Sequence, residues 1–158
     1  MEPYRGRLYA AALRLLGNRH DAEEICQEAF LQAFCKAAGF KGRSHFYTWV
    51  YRIMIHLCYR RLKSGRKETS VDAIEVADPS ASAREQAAAS ETISLVRRAL
   101  CRLKPADFEI LVLREFEELS YEELAQRLRL PHGTVMSRLH RARLALAVQL
   151  EKLGVCDS

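Results

Sequence analysis

Apolar residues recur three and four positions apart along nearly the whole chain of 158 residues, and the recurrence lapses only once, between residues 64 and 93. No stretch alternates polar and apolar as a half-wet strand would, so the pattern predicts an all-α fold. The lapse is rich in Ser, Ala, Asp and Glu, contains Pro79 and has few large apolar side chains. A segment of that composition buries too little surface to order itself. Residues 64–92 are therefore expected to form a flexible acidic linker between two small helical domains, 1–63 and 93–158.

Charge follows the same division. Eleven Lys/Arg face five Asp/Glu in residues 1–63, three face six in 64–93, and eleven face nine in 94–158, within a formal net charge of +5. Two basic modules with an acidic connector favour an anionic partner, nucleic acid before a membrane surface. Five cysteines, Cys26, Cys35, Cys58, Cys101 and Cys156, are scattered without a C-x-x-C pair. That argues against a disulfide framework or zinc ribbon and for reduced thiols in a cytosol. The apolar run from Leu8 to Leu13 is broken by Arg14, too short for a signal sequence or a membrane span. A cytoplasmic protein is expected.

Local signals place the helices. Arg7 to Leu16 reads as a first helix stopped by Gly17 and Asn18. A second is expected to start at Asp21, with Glu24 completing a capping box, and to run to about Ala38. A third spans about His45 to Leu62. After the linker, helical period resumes near Glu91, and Pro105 opens another helix reaching Arg114 and Phe116. Ser120 and Glu123 form a capping box for a helix to about Leu128; Leu130-Pro131 breaks it, and a last helix runs from His132 to about Leu153.

The last two helices, joined by a turn of a few residues, have helix-turn-helix spacing. Val135, Leu139, Ala142 and Leu146 form one apolar stripe, so Ser137, His140 and Arg141 point away from it, flanked by Thr134 and Arg138 on one side and Met136 and Arg143 on the other. From Arg129 to Arg143 there are four arginines and no acid. Such a face can enter a major groove, where Arg reads guanine and Ser or Thr bonds base edges or phosphates. A merely solvated basic face has the same composition; the capped helix and tight turn before it favour recognition.

In the N-terminal half, Ala22, Ile25, Cys26, Ala29, Phe30 and Ala33 form a buried face, leaving Glu24, Gln27, Glu28, Leu31 and Cys35 outward. An acidic stripe with an exposed Leu suits a protein partner better than DNA. Phe40, Phe46, Tyr47, Trp49 and Tyr51 interleave with Lys41, Arg43 and Arg52, a mixture able to stack unpaired bases and follow their phosphates. Phe46, Trp49, Val50, Ile53 and Leu57 share one expected core face, with Thr48, Arg52, Ile55 and Tyr59 opposite and His56 at the margin.

Two groups of residues carry a family resemblance. Leu13-Arg14-Leu15-Leu16-Gly17-Asn18, Asp21-Ala22-Glu23-Glu24, Gln27-Glu28-Ala29-Phe30, Phe40-Lys41-Gly42 and Phe46 to Ile53 resemble region two of extracytoplasmic-function sigma factors. Leu113-Arg114-Glu115, Leu119 to Ala125 and Pro131 to Arg143 resemble region four of the same family. The resemblance implies a sigma-70-type factor that directs core RNA polymerase to promoters and promotes melting of the minus-ten element, in a stress, envelope or redox response under anti-sigma control. By position, it implies minus-thirty-five contacts from Thr134, Met136, Ser137, Arg138, His140, Arg141 and Arg143. Phe40, Arg43, Ser44, Phe46, Thr48, Arg52, His56 and Arg60 would hold the minus-ten strand. Asp21, Glu24, Gln27, Glu28 and Leu31 would grip the clamp helices of the largest polymerase subunit, with the β flap as a further polymerase contact. Met136 stands where the family commonly has Lys or Arg, and His56 where it commonly has Asn. An anti-sigma protein would find Leu31 or Ile55 as exposed apolar contacts.

The resemblance implies no catalytic residue, metal, cofactor, small-molecule substrate or membrane insertion. Two other readings compete with it. A free-standing regulator that dimerises on a palindrome would use the helix-turn-helix but leaves the N-terminal half unexplained. An enzyme or metal sensor would need more than His56-Leu57-Cys58, which lacks further ligands at suitable spacing.

Overall fold

Glycine at position 17 divides the first two helices. In the computed structural model, which describes residues 2–65 and 82–155, α1 (Glu2–Leu16) ends where Gly17, at φ +68°, donates its N–H to the Leu13 carbonyl at 2.8 Å. The left-handed conformation suits a residue without Cβ. Helix α2 (Arg19–Cys35) starts from extended Asn18, whose side chain accepts from the Asp21 N–H at 3.0 Å. The cap is therefore Asn18, not Asp21 with Glu24 as the sequence suggested. Those two carboxylates turn instead to the Arg61 guanidinium on α3 (Phe46–Lys63), which donates to both.

Small residues set how closely these helices approach. Ala22, Cys26, Ala29 and Ala33 are buried along α2, and Leu8, Ala11, Ala12 and Leu15 of α1 meet them together with Val50, Met54, Leu57 and Cys58 of α3. A large side chain at any of those alanines would force the backbones apart. Beyond α2, a 3-10 turn (Ala37–Gly39) and a short loop lead to α3.

The C-terminal half begins earlier than expected. Helix α4 (Ala83–Leu100) starts inside the segment 64–92 that composition marked as linker, opened by a complete capping box between Ser82 and Glu85. The alanines that make this stretch look low in apolar content are also the strongest helix formers. The remainder of that segment, 66–81, and Cys156 lie outside the described residues. Helix α5 (Pro105–Leu111) has Pro at its first position and runs into a π turn (Val112–Phe116), in which Glu117 N–H reaches the Val112 carbonyl at 3.3 Å. Helices α6 (Tyr121–Leu128) and α7 (His132–Lys152) follow, joined through Arg129 at φ 54°. The Ser120–Glu123 capping box is present, as expected. Every regular element among the described residues is helical, in agreement with the all-α expectation.

The two halves do not stand apart: their buried side chains form one continuous core. Helix α5 lies against α3, Tyr59 donates its hydroxyl to the Leu103 carbonyl at 2.7 Å, and its ring centroid is 5.1 Å from that of Phe108. Ile55 and Tyr59, expected on an outward face of α3, are accordingly buried. Their helix has two apolar sides because it serves two partners, the α1–α2 pair on one and α5 on the other.

Candidate nucleic-acid interface

Helix α7 is held by Val135, Leu139 and Ala142, all buried, while Leu146 is only half-buried where the helix extends past its supports. That anchorage turns Met136, Ser137, His140 and Arg141 outward, all exposed, with Thr134 and Arg138 half-buried beside them. The Ser137 hydroxyl donates to the Thr134 carbonyl at 3.1 Å, a local bond that a base edge or phosphate can share, since the oxygen still accepts. Arg143 is engaged elsewhere: its guanidinium donates to Glu115 at 2.8 Å, and that hydrogen bond raises its pKa. The turn is closed by Leu130 N–H on the Ala125 carbonyl at 3.0 Å. A capped α6 and this turn thus present a basic, hydroxyl-bearing face in the form that major-groove recognition uses.

The residues expected to hold an unpaired strand are divided. Phe40 stacks on Trp49 at 4.8 Å between centroids, and Phe46 meets both edge-on, making an aromatic nest at the start of α3. Trp49 is half-buried within it, so its ring is partly core and partly platform. Arg43 and Ser44 lie in the loop before α3 and, with Thr48, line a cleft of about 500 Å3 closed on its far side by Glu123, Gln126 and Arg127 of the helix-turn-helix. Arg129 donates to the Arg43 carbonyl at 2.9 Å across this cleft.

Thr48, Arg52, His56 and Arg60 wind along α3 at four-residue spacing, each turned about 40° from the one before. The row therefore begins at the seam with the C-terminal half and leaves it. Arg52 donates through Nε to Glu109 of α5 at 2.6 Å and through Nη2 at 3.4 Å, and His56 Nε2 lies 3.5 Å from the same carboxylate. Arg60 is exposed. Burial works to raise the Glu109 pKa, yet hydrogen bonds and charge from His56 and Arg52 more than offset it and hold the carboxyl below its ordinary range.

On α2, the acidic row expected to face a protein partner is half occupied. Asp21 and Glu24 serve Arg61, and Glu24 also has His20 at 3.3 Å. Gln27 and Glu28 are exposed, Glu28 accepting from Gln32 at 3.0 Å, and Leu31 is 63% exposed. Beside it Phe34 is 81% exposed, a large apolar side chain the sequence pattern did not single out. Its position one turn past Phe30 and three past Leu31 was the available signal.

The N-terminal half, residues 1–68, matches the family model Sigma-70 region 2, and residues 93–146 match Sigma-70, region 4. The extracytoplasmic-function (ECF) RNA polymerase sigma factor SigW of Bacillus subtilis is 31% identical over 95% of this chain and 86% of its own length. The chain belongs to the ECF sigma factors of the sigma-70 family. RNA polymerase sigma-H factor of Pseudomonas aeruginosa is 34% identical over 95% of this chain and 83% of that protein. The ECF sigma-E factor of Escherichia coli K12 is 37% identical over 84% and 75%.

Two solved structures share the architecture. CnrH, in complex with the cytosolic domain of CnrY, superposes with a TM-score of 0.57 at 25% identity, over 94% of this chain and 83% of that one. The sigma factor RpoE of Bartonella quintana, in complex with the anti-sigma factor NepR, gives 0.53 at 24% over 94% and 92%, a likeness of fold. In this sigma factor, no group of three His, Cys, Asp or Glu side chains among the described residues is placed to hold a metal ion. No helix among them is long and apolar enough to cross a membrane.

Proposed function

We propose that this sigma factor divides promoter recognition between its two halves, with α7 reading the minus-thirty-five duplex and the loop before α3, with α3 itself, holding the separated minus-ten strand. The observation that carries the reading is the bare face of α7: Met136, Ser137, His140 and Arg141 stand exposed beyond a buried stripe, with no acidic residue from 129 to 143. Arg141 supplies a bidentate donor for guanine, and Ser137 and Thr134 supply hydroxyls for phosphate or base edges. Met136 offers an apolar contact, such as a thymine methyl, in place of a cation.

On the other half, the Phe40, Phe46 and Trp49 rings are stacking partners for unpaired bases, and Arg43, Arg52, His56 and Arg60 follow the strand's phosphates, with Ser44 and Thr48 as hydroxyl contacts. Melting is then differential binding: a surface that prefers separated strands shifts the promoter toward the open state without ATP. Core polymerase performs the nucleotide chemistry, and the factor holds it through Gln27, Glu28 and Leu31, extended by Phe34. Asp21 and Glu24 shape that surface through Arg61. The β flap would take the C-terminal half.

The sigma factor RpoE of Bartonella quintana is bound to the anti-sigma factor NepR. The same control is proposed for this factor, in a stress, envelope or redox response in the cytoplasm. Leu31 and Phe34 are the exposed apolar contacts available to such an inhibitor; Ile55, fully buried, is not.

Run-off transcription with purified core polymerase on a panel of promoter fragments tests the whole reading. Initiation that depends on the added protein and on both promoter elements is the expected result. Absence of any initiation, with no inhibitor present, would sink it.

A further inference from the structure

The aromatic residues at the start of α3 divide between two sides of the helix. Phe46 and Trp49 join Phe40 in the nest described above. At about 100° per residue Tyr47 lies across the helix from Trp49, and it meets α1 instead. Tyr51 is fully buried, Tyr47 is half-buried with its ring centroid 5.8 Å away, and Tyr4 of α1, 45% exposed, follows at 5.3 Å and 31° from Tyr47. The three rings make a column that rises from the core and ends at the surface. Among the described residues no further ring covers its outer end.

A cation accompanies the column. Arg7, one turn along α1 from Tyr4, is exposed and places its guanidinium 5.0 Å from the Tyr47 centroid, against a ring face rather than a carboxylate. Its charge thus stays available to an anion. From Pro3 to His20 the chain carries four arginines and no acid. Packing alone does not call for a ring at position 4, since Leu8, Ala11 and Leu15 continue the same stripe of α1 with aliphatic side chains. A bare aromatic face beside an unneutralised guanidinium is what an unpaired nucleotide needs: a surface for its base and a cation for its phosphate.

We propose that Tyr4, backed by Tyr47 and flanked by Arg7, is a second stacking site for the separated DNA strand, taking one unpaired base outside the nest of Phe40, Phe46 and Trp49 together with an adjoining phosphate. The proposal rests on the assignment of the nest and α3 to the minus-ten strand, and extends it to α1. Both sites open at the same end of α3, and a helix with its side chains is about 10–12 Å across, so a strand leaving the nest reaches Tyr4 within a few nucleotides. The site reads no base edge. Every base has a π face, so Tyr4 lengthens the unpaired segment that the factor holds without adding sequence preference. Once the nest is occupied, the second contact is intramolecular and prolongs the life of the open complex.

The test uses the full chain assembled with core polymerase on a promoter fragment whose strands are mismatched, and so held apart, over the minus-ten element and the bases beside it. 2-Aminopurine, which is bright when unstacked and dims against an aromatic ring, replaces one base at a time along the unpaired strand. Tyr4→Leu keeps an apolar side chain against Tyr47 and removes the ring, whereas Tyr4→Phe keeps the ring. With the native chain and with Tyr4→Phe, one position outside the nest is expected to be dim. Tyr4→Leu should brighten that position and lower affinity for the fragment by about tenfold, the scale of one lost base stack. Arg7→Gln should lower the slope of log affinity against log salt by about 0.7, the value for one phosphate contact on a single strand.

An unchanged 2-aminopurine profile in Tyr4→Leu overturns the site, and so does a loss that Tyr4→Phe shares in full. The salt slope guards against a variant that folds poorly, because a damaged fold lowers affinity at every salt concentration alike. A native slope in Arg7→Gln removes the phosphate contact and overturns the site as proposed. Phe40→Ala separates this from the parent reading. If Phe40→Ala brightens positions in the unpaired strand and Tyr4→Leu brightens none, the nest stands and the Tyr4 site falls. If neither variant brightens any position, the assignment of α3 to the strand falls with it.

Discussion

Arg97 lies against Gly17 so closely that a Cβ added to the glycine would come within 2.4 Å of the guanidinium. From there Arg97 donates to the Leu15 carbonyl at 3.0 Å and the Arg14 carbonyl at 3.3 Å, closing the C-terminal end of α1 with a cation from the other half of the chain. A positive charge at that end also meets the negative pole of the helix dipole. Gly17→Ala strains the φ of +68° and displaces Arg97 from both carbonyls, so it is expected to cost about 1–3 kcal/mol. In an Arg97→Ala background the same substitution should cost less. Equal costs in thermal unfolding of the two backgrounds would mean that the contact does not matter.

Arg141→Ala is expected to weaken minus-thirty-five duplex binding by about 1–3 kcal/mol and to relax sequence preference at one base pair. Its side chain is exposed and supports nothing in the core, so the melting temperature should stay within a degree or so. Binding isotherms on matched and mutated duplexes give the answer. A uniform loss across all sequences would reassign Arg141 to a phosphate.

Leu31→Asp and Phe34→Asp should each lower affinity for core polymerase by about tenfold or more without changing the unfolding temperature, since both side chains project from α2 into solvent. Glu28→Ala should act in the same direction. Native affinity in all three would move the polymerase contact away from this face.

Much of this molecule could be read before its structure was seen. Helices with a strong start signal and one apolar side were legible: Ser120 with Glu123 placed α6, Pro131 separated it from α7, and the buried stripe of Val135, Leu139 and Ala142 followed from spacing alone. Helix α3 was legible only in part. Its second apolar side, Ile55 and Tyr59, has the same periodic signature whether it faces water, a partner or another part of the chain, and only the position of α5 decides. The start of α4 was hidden because alanine counts weakly as apolar yet strongly as helical. Asn18 and Asp21 are both good caps three residues apart, and the choice was made at a distance, by Arg61 on α3. The same holds for Glu109: nothing in a run of α5 residues says that its carboxylate will end up under Arg52 and His56.

The thiols should respond unequally. Burial pushes the Cys26 thiol up to about 11, with Arg5 pulling weakly the other way, and pushes Cys58 higher still, the neighbouring Cys26 adding to the effect. Cys35 is exposed. At pH 8 a small alkylating reagent is therefore expected to label Cys35 rapidly, while Cys26 and Cys58 stay protonated and unreactive until the fold opens. Labelling followed by peptide mass mapping checks the order; early modification of Cys58 would contradict the packing around it.

Acid should destabilise the fold through Glu109. The Glu109 carboxyl is held below its ordinary value of 4.5 in the folded protein by His56 and Arg52, against the opposing effect of burial. A depressed carboxyl pKa contributes stability that is complete above 4.5 and is lost as pH falls through the lower, folded-state value. The free energy of unfolding should thus decline as pH falls below 4.5, where this carboxyl begins to take up its proton in the unfolded chain. Glu109→Gln should lack that decline.

Because the buried side chains of both halves belong to one continuous cluster, denaturant should take the molecule apart in a single cooperative step rather than half by half. Damage to the packing of α3 is then felt by the helix-turn-helix as well.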